Sequence, residues 1–445
     1  MVGLGKLGLP LAALLATRGF EVVGLDADRR RIDGINAGLV GGSELGLESL
    51  IRDAESRLRL EMISDQAIAI SDVTFIIVPT PSGPDGRFRN DSVIAAIRQI
   101  GNALRATDRY HLVVLVSTVM PTSMTEVIAP ALEKAARRKV GDRLGLCYSP
   151  EFVALGSVIR DMSRPDLLLI GESDAAAGDL LLGIYRAIIE TKPEIHRMNF
   201  VNAEICKLAV NSFVTTKISF ANMIAEACDH LPSADAEVVL RAAGADSRIG
   251  HDYLRGAVGY GGPCFPRDNI AFTLMGRDLG LQFELAAATD ATNRHQLQRL
   301  CAVIEARAQT GATIAILGMS YKPGTDVIEA SQGIALAQAM FDGGFNVLIA
   351  DPAAAQNAAA ILGHGVSVAS AAEAVARADV VAIMTQWPQF RNIPMANFMR
   401  DKQNITVIDP WRVFKFGELP SSVEHIVLGF GPDAAGEPPP QAYND

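Results

Sequence analysis

No apolar run in this sequence is long enough to cross a membrane. The longest, "VTFIIVP" and "TIAILG", are strand-sized. The N-terminus lacks a cleavable signal pattern. There is no CxxC and no paired histidine spacing, so no metal site is expected. Cysteine is scarce: Cys147, Cys206, Cys228, Cys264 and Cys301, five in all and irregularly spaced. An odd, scattered set predicts reduced thiols and a cytoplasmic protein. Charged residues make up 20% of the chain, without a long block of one sign, and the net charge is -10. That excludes a general nucleic-acid binder, while a few local Lys and Arg can still hold a small anion.

What is present is apolar sequence in quantity. With 445 residues and 49% hydrophobic content, the chain can build two or three domains with cores. "FEVVGLD" (Phe20–Asp26), "DVTFIIVPTP" (Asp72–Pro81), "LVVLVSTV" (Leu112–Val119) and "DLLLIG" (Asp166–Gly171) are continuous apolar runs, as in parallel strands covered by helices on both faces. From Ala203, "AEICKLAVNSFVTTKISFANMIAEACDHL" reaches Pro232 without Gly or Pro. It predicts one helix of roughly 28 residues, ~40 Å long. Further helix is expected to about Ala243 and from Phe283 to Ala308. Strand texture then returns at Thr313–Gly318, Phe345–Asp351, Asp379–Thr385 and Ile405–Pro410.

The two α/β ends are weakly alike. "SDVTFIIVPT" echoes "ADVVAIMTQW", and Asp26 and Asp351 each close a strand. The predicted fold is α/β, with two Rossmann-like doubly wound domains joined by a long central helix. The expected divisions are 1–202, 203–308 and 309–431, followed by a disordered tail, 432–445, rich in Pro and Gly.

"VGLGKLGLP" sets Gly3, Gly5 and Gly8 in G-x-G-x-x-G spacing, with Asp26 at the end of the next strand. Such a turn brings backbone close to a pyrophosphate, and the acid suits the adenosine ribose. Asp26 favours NAD, although Arg29, Arg30 and Arg31 keep NADP open. Only Met1 and Val2 precede Gly3, so the central strand is nearly absent. The expectation is a native chain that starts upstream of Met1.

Lys207 and Asn211 are four apart on the long helix and share a face amid apolar neighbours. Buried there, both need polar partners, and a substrate oxygen would be one. "GYGGPCFPRD" sets Cys264 in a glycine-rich turn with Asp268 four residues on. The setting favours a nucleophile, with Asp268 as base, orienter or helix cap.

In order, "GLGKLGLP", "VPTP", "STVMPT", "SPEF", "AEICKLAVN", "DSRIGHDYL", "GYGGPCFPRD", "LGMSYKPGTD" and a late "DP" resemble the UDP-glucose/GDP-mannose dehydrogenase family over nearly the whole chain. The resemblance implies NAD-dependent, four-electron oxidation of a nucleotide hexose at C6 to the carboxylate. Cys264 would form a thiohemiacetal and then a thioester. Lys207 would stabilise the oxyanion, Asn211 hold a water or that oxygen, and Asp268 and Glu151 assist proton transfer. Glu151, Lys207, Asn211, Tyr253, Gly261 and Lys322 would contact the nucleotide sugar. Gly3, Gly5, Leu7, Gly8, Asp26, Arg31, Thr80, Thr118 and Arg267 would contact NAD. Two positions depart from the commonest family pattern: Leu155 replaces a glutamate, and Glu329 replaces an arginine.

UDP-glucose is the first-choice substrate, with GDP-mannose or a UDP-N-acetylhexosamine as alternatives. A two-electron hydroxyacid dehydrogenase of related fold would also use a helix Lys and Asn, but it has no use for Cys264. A non-catalytic nucleotide-sugar-binding protein is the reading outside enzymology. A homodimer through the long helix is expected, because so long a helix with apolar residues around it needs a partner surface.

Overall fold

The computed structural model describes residues 1–40, 44–399 and 405–432, so the expected tail lies outside the described residues from 433 on. The chain divides into two compact units. One comprises Met1–Val210 with Arg277–Leu279, the other Asn211–Gly276 with the residues from Gly280 onward.

The first unit is built on β1 (Val22–Asp26), β2 (Leu58–Met62), β3 (Val73–Ile76), β4 (His111–Leu115), β5 (Leu144–Tyr148), β6 (Leu167–Glu172) and β7 (Glu194–Met198). The strands pair as β2-β1 and β3-β4-β5-β6-β7, with only β5–β6 antiparallel. Val2 bridges in parallel to both Leu25 and Ile76. Its N–H donates to Phe75 and its carbonyl accepts from Ile77, while the Gly3 N–H donates to Leu25. Met1 to Gly3 therefore run between β1 and β3 and bond to both. β4 and β5 are buried along their whole length, and apolar clusters cover both faces of the sheet. Two-sided burial explains why the strands read as continuous apolar runs.

The second unit holds β8 (Thr313–Leu317), β9 (Asn346–Ala350), β10 (Val366–Val368), β11 (Val380–Ile383), β12 (Ile405–Ile408) and β13 (Val423–Ile426). Their order is β10-β9-β8-β11-β12-β13, all parallel. The echoing segments, β3 and β11, hold equivalent places in the two sheets.

The long helix spans Phe200–Asp229, 30 residues, and starts three residues before the expected Ala203. Asn199 caps it by accepting from the Asn202 N–H at 2.9 Å. The predicted later helices form at Ala236–Gly244 and Glu284–Glu305. Another helix, Phe265–Asp278, begins one residue after Cys264. Among the described residues, no helix is long and apolar enough to cross a membrane.

Asp351, just past β9, fastens the second sheet. Its Oδ2 accepts from the N–H groups of Met319 (2.7 Å) and Ser320 (2.9 Å), the Ser320 hydroxyl and the Trp387 indole; its Oδ1 accepts from Ala353 and Ala354. Asp351→Ala would strand these donors together. The expected loss is about 3 kcal/mol of unfolding free energy, read by urea denaturation. A loss below about 1 kcal/mol would mean that water replaces the carboxylate without penalty.

Candidate active site

In the first unit, the fingerprint glycines divide the work. Gly3 sits at φ 95°, and a Cβ there would lie 2.1 Å from the Ile77 carbonyl oxygen. A Cβ on Gly8 would lie 1.9 Å from the Gly3 carbonyl oxygen. Gly5 faces open space, with nothing within 4 Å of its would-be Cβ. The turn is thus folded by Gly3 and Gly8 and left bare at Gly5, the condition for backbone to approach a phosphate. Leu7 is the residue before the helix Gly8–Thr17, so the open turn leads into a helix N-terminus.

Asp26 is 6% exposed. It accepts from the N–H groups of Leu4 (2.8 Å) and Asp28 (2.9 Å) and from the half-exposed Arg31 guanidinium (3.1 Å). Burial alone would raise its pKa, but those donors outweigh it and hold the carboxyl below the usual range. A charged acid therefore stands at the end of β1 beside the bare turn, which fits a dinucleotide ribose. Thr80 donates its hydroxyl to the Thr118 carbonyl at 2.8 Å, tying together two residues expected at the cofactor.

Lys207 is buried. Its ammonium donates to the Glu151 backbone carbonyl at 2.7 Å and lies 4.5 Å from the centre of the Phe152 ring. Burial pushes the Glu151 carboxyl up to about 7, against the pull of the Lys207 charge. A carboxyl so tuned can give or take a proton at neutral pH. Leu155 packs against the core of this unit.

In the second unit, Asn211 and Asp268 are 7% and 1% exposed. The Asn211 amide donates to Asp268 Oδ2 at 2.6 Å, and Arg267 Nε donates to Oδ1 at 3.3 Å. Asp268 lies in the first turn of the helix Phe265–Asp278, where its N–H donates to the Cys264 carbonyl at 2.9 Å. Cys264 is exposed, at the end of that helix where the dipole favours negative charge. None of the five cysteines forms a disulfide.

The glycines before Cys264 have identifiable neighbours. A Cβ on Gly261 would meet the Ala330 carbonyl oxygen at 2.3 Å, and one on Gly262, at φ 89°, would meet the Tyr321 ring at 2.6 Å. The Gly262 N–H donates to the Glu329 carbonyl at 2.9 Å, so Glu329 touches this loop through its backbone. Tyr253 is 52% exposed at φ 61°, with its ring 6.1 Å from that of Phe265. Lys322 places its ammonium 6.0 Å from the centre of the Tyr321 ring.

Sequence reasoning passed over Glu204. It is fully buried and accepts from the N–H groups of Thr122 (2.8 Å) and Met124 (2.7 Å). Burial pushes it up to about 7. It anchors the loop that follows Thr118, in which Thr122 adopts φ 73°. The available signal was a carboxylate on the apolar stretch that also carries Lys207.

Models of three domains of the UDP-glucose/GDP-mannose dehydrogenase family match the chain: the NAD-binding domain at residues 1–189, the central domain at 201–295 and the UDP-binding domain at 315–416. UDP-glucose 6-dehydrogenase AglM of Haloferax volcanii is 35% identical, covering 88% of this chain and 91% of its own. The UDP-glucose 6-dehydrogenase of Pseudomonas aeruginosa is 33% identical over 98% of both. GDP-mannose 6-dehydrogenase of Pseudomonas putida is 33% identical over 78% of this chain and 79% of its own. The solved UDP-glucose dehydrogenase of Pyrobaculum islandicum superimposes with a TM-score of 0.87 at 31% identity, covering 96% of each chain.

A carboxyl whose folded pKa is raised contributes stability below its unfolded pKa of about 4.5 and loses it as pH climbs through about 7. The thermal midpoint is therefore expected to fall between pH 5 and pH 8, and Glu151→Gln to flatten part of that slope. An unchanged slope in scanning calorimetry would mean that Glu151 does not titrate there.

Proposed function

The chain belongs to the UDP-glucose/GDP-mannose dehydrogenase family and is an NAD-dependent nucleotide-sugar 6-dehydrogenase, and from that premise we propose UDP-glucose as its substrate and Cys264 as its nucleophile. The carrying observation is an exposed thiol at a helix N-terminus, closing a turn in which side chains are excluded at Gly261 and Gly262. UDP-glucose is favoured because relatives of that name match over 88% and 98% of the chain, against 78% for the GDP-mannose enzyme.

NAD, when bound, would accept a hydride from C6 in each of two successive oxidations, one NAD for each; Gly3, Gly5, Leu7, Gly8, Asp26, Arg31, Thr80, Thr118 and Arg267 would hold it. The chain's own groups handle the carbon. Cys264 adds to the C6 aldehyde, forming a carbon–sulfur bond while the carbonyl oxygen gains a proton. After the second oxidation, water breaks that bond and the thiol returns. The Lys207 ammonium stabilises charge on the oxygen, and Glu151 gives and takes the proton. Asp268 fixes the Asn211 amide, which orients water or the oxygen. Tyr253, Gly261 and Lys322 contact the nucleotide sugar, with Lys322 facing its diphosphate. The reaction belongs in the cytoplasm, where thiols stay reduced.

We also propose a homodimer through the long helix. Phe213, Phe220 and Met223, exposed by 65%, 49% and 54%, recur on one face of it. Phe213→Glu should shift the protein from dimer to monomer in light scattering; a wild-type monomer at micromolar concentration would end this proposal.

The purified enzyme is expected to form two NADH per UDP-glucose. Cys264→Ala should abolish uronate while UDP-glucose binding by calorimetry stays within about threefold. Normal uronate output from that variant would remove the thiol from the mechanism. A nucleotide-sugar panel in which GDP-mannose has the higher kcat/KM would correct the substrate.

A further inference from the structure

The stretch Ala257–Tyr260, which leads into the cysteine turn, is buried at every apolar side chain, with Ala257, Val258 and Tyr260 2%, 7% and 5% exposed. It belongs to no strand, so its peptide groups must find partners elsewhere. Two asparagines supply them. Asn222, on the long helix and fully buried, accepts from the Ala257 N–H at 2.9 Å and donates to the Val258 carbonyl at 3.1 Å. Asn293, on the helix Glu284–Glu305, accepts from the Tyr260 N–H at 2.7 Å and donates to the Tyr260 carbonyl at 3.0 Å.

Gln332 adds a second donor to that carbonyl at 3.2 Å, and Asp290 accepts from the Tyr260 hydroxyl at 2.5 Å. Gly259 leaves room for these amides: a Cβ there would lie 2.6 Å from Asn293 Oδ1 and 3.0 Å from Gln332 Oε1. A carboxamide presents one donor face and one acceptor face side by side, as a neighbouring strand would. Aspartate lacks the donor, and an aliphatic residue lacks both.

We propose that Asn222 and Asn293 are positioning residues for the Cys264 thiol: two side-chain clips that hold Ala257–Tyr260 as a sheet would, so that the next residues, Gly261 to Cys264, leave a fixed anchor. Downstream, the turn is held again by the Gly262–Glu329 backbone bond and by the helix that starts at Phe265. Cys264, an exposed residue, thus lies on a short span held on both sides. This matters to the reaction because the thiol must meet the carbon as it adds and stay aligned until water releases it. A displacement near 1 Å can cost about 100-fold.

The inference rests on Cys264 being the nucleophile, and the test separates the two ideas. Asn293→Ala and the near-isosteric Asn293→Asp are compared with wild type and with Cys264→Ala, using NAD, UDP-glucose and a hydroxylamine trap for aldehyde. The expected result is a fall in uronate-forming kcat of at least 10-fold, with KM for UDP-glucose within threefold. Trapped aldehyde should rise, and NADH per uronate should exceed two. The rate of Cys264 alkylation by iodoacetamide, followed by peptide mass, should change by at least threefold. Gln332→Met, which removes one bond and keeps the volume, should show the same signature more weakly.

Loss of thermal stability with kcat, aldehyde yield and alkylation rate unchanged would reduce the clips to packing and overturn the proposal. So would an equal fall in both oxidation steps. If Asn293→Ala fails to fold, Asn293→Asp and Gln332→Met decide by the same readouts. Uronate formation by Cys264→Ala would overturn the thiol's role and the clips' role together. Inactive Cys264→Ala beside a normal Asn293→Asp would overturn the clips alone.

Discussion

A carboxyl group that is 1% exposed needs hydrogen-bond partners for its oxygens, and Asp268 finds them in the Asn211 amide at 2.6 Å and Arg267 at 3.3 Å. That contact joins the long helix to the helix that begins beside Cys264. Helices can slide along one another when only apolar side chains meet, but a buried amide–carboxylate bond fixes register. Within the second unit, that polar contact therefore fixes the downstream side of the thiol, through the covalent distance from Asp268 back to Cys264. Asn269 repeats the device one residue on, donating to the Ala286 carbonyl at 2.8 Å.

The glycines of the cysteine turn serve packing as well as flexibility. At Gly261 and Gly262 a methyl group would strike the Ala330 carbonyl or the Tyr321 ring, and at Gly259 two amides. The turn is closely packed, with neighbours filling the space that side chains would take. Its glycines permit close approach by protein, whereas Gly5 in the first unit keeps its space open.

Much of this was legible in the sequence. The long helix declared itself by an uninterrupted stretch without Gly or Pro, and the central strands by apolar runs. The strands that escaped notice have physical reasons to do so. β2 ("LRLEM"), β7 ("EIHRM") and β13 ("VEHI") sit at sheet edges and mix apolar with charged or polar residues, β10 has three residues, and β5 carries Gly145 and no β-branched residue. Cys264, Asp268, Lys207 and Asn211 stood out because polar groups in apolar or glycine-rich settings violate local rules. The asparagine clips left no such mark. Asn222 and Asn293 are 35 and 33 positions from the N–H groups they bind, and an asparagine on a helix predicts a surface. Glu204 did break the pattern, yet its partners, Thr122 and Met124, are backbone groups that only the folded loop presents.

The two sheets share one plan and differ in what they leave vacant. In the first, Gly8 packs on the Gly3 carbonyl; in the second, Gly333 packs on that of Gly318, with would-be Cβ distances of 1.9 and 2.0 Å. Asp26 and Asp351 occupy equivalent strand ends. Asp26 accepts from two backbone donors and one half-exposed arginine, which leaves lone pairs for a ribose. Asp351 is saturated by six donors, with the Trp387 indole among them. The same acid thus keeps acceptor capacity in one sheet and fastens its own loop in the other. The glycine pair of the second sheet is also separated by a much longer loop, which carries Tyr321, Lys322, Glu329 and Ala330. Three of these, Tyr321, Glu329 and Ala330, press on or bond the cysteine turn. The longer loop of the second sheet therefore braces the cysteine turn, whereas the short turn of the first is left open at Gly5. That physical difference, rather than any difference in fold, lets one architecture appear twice in the chain with two duties.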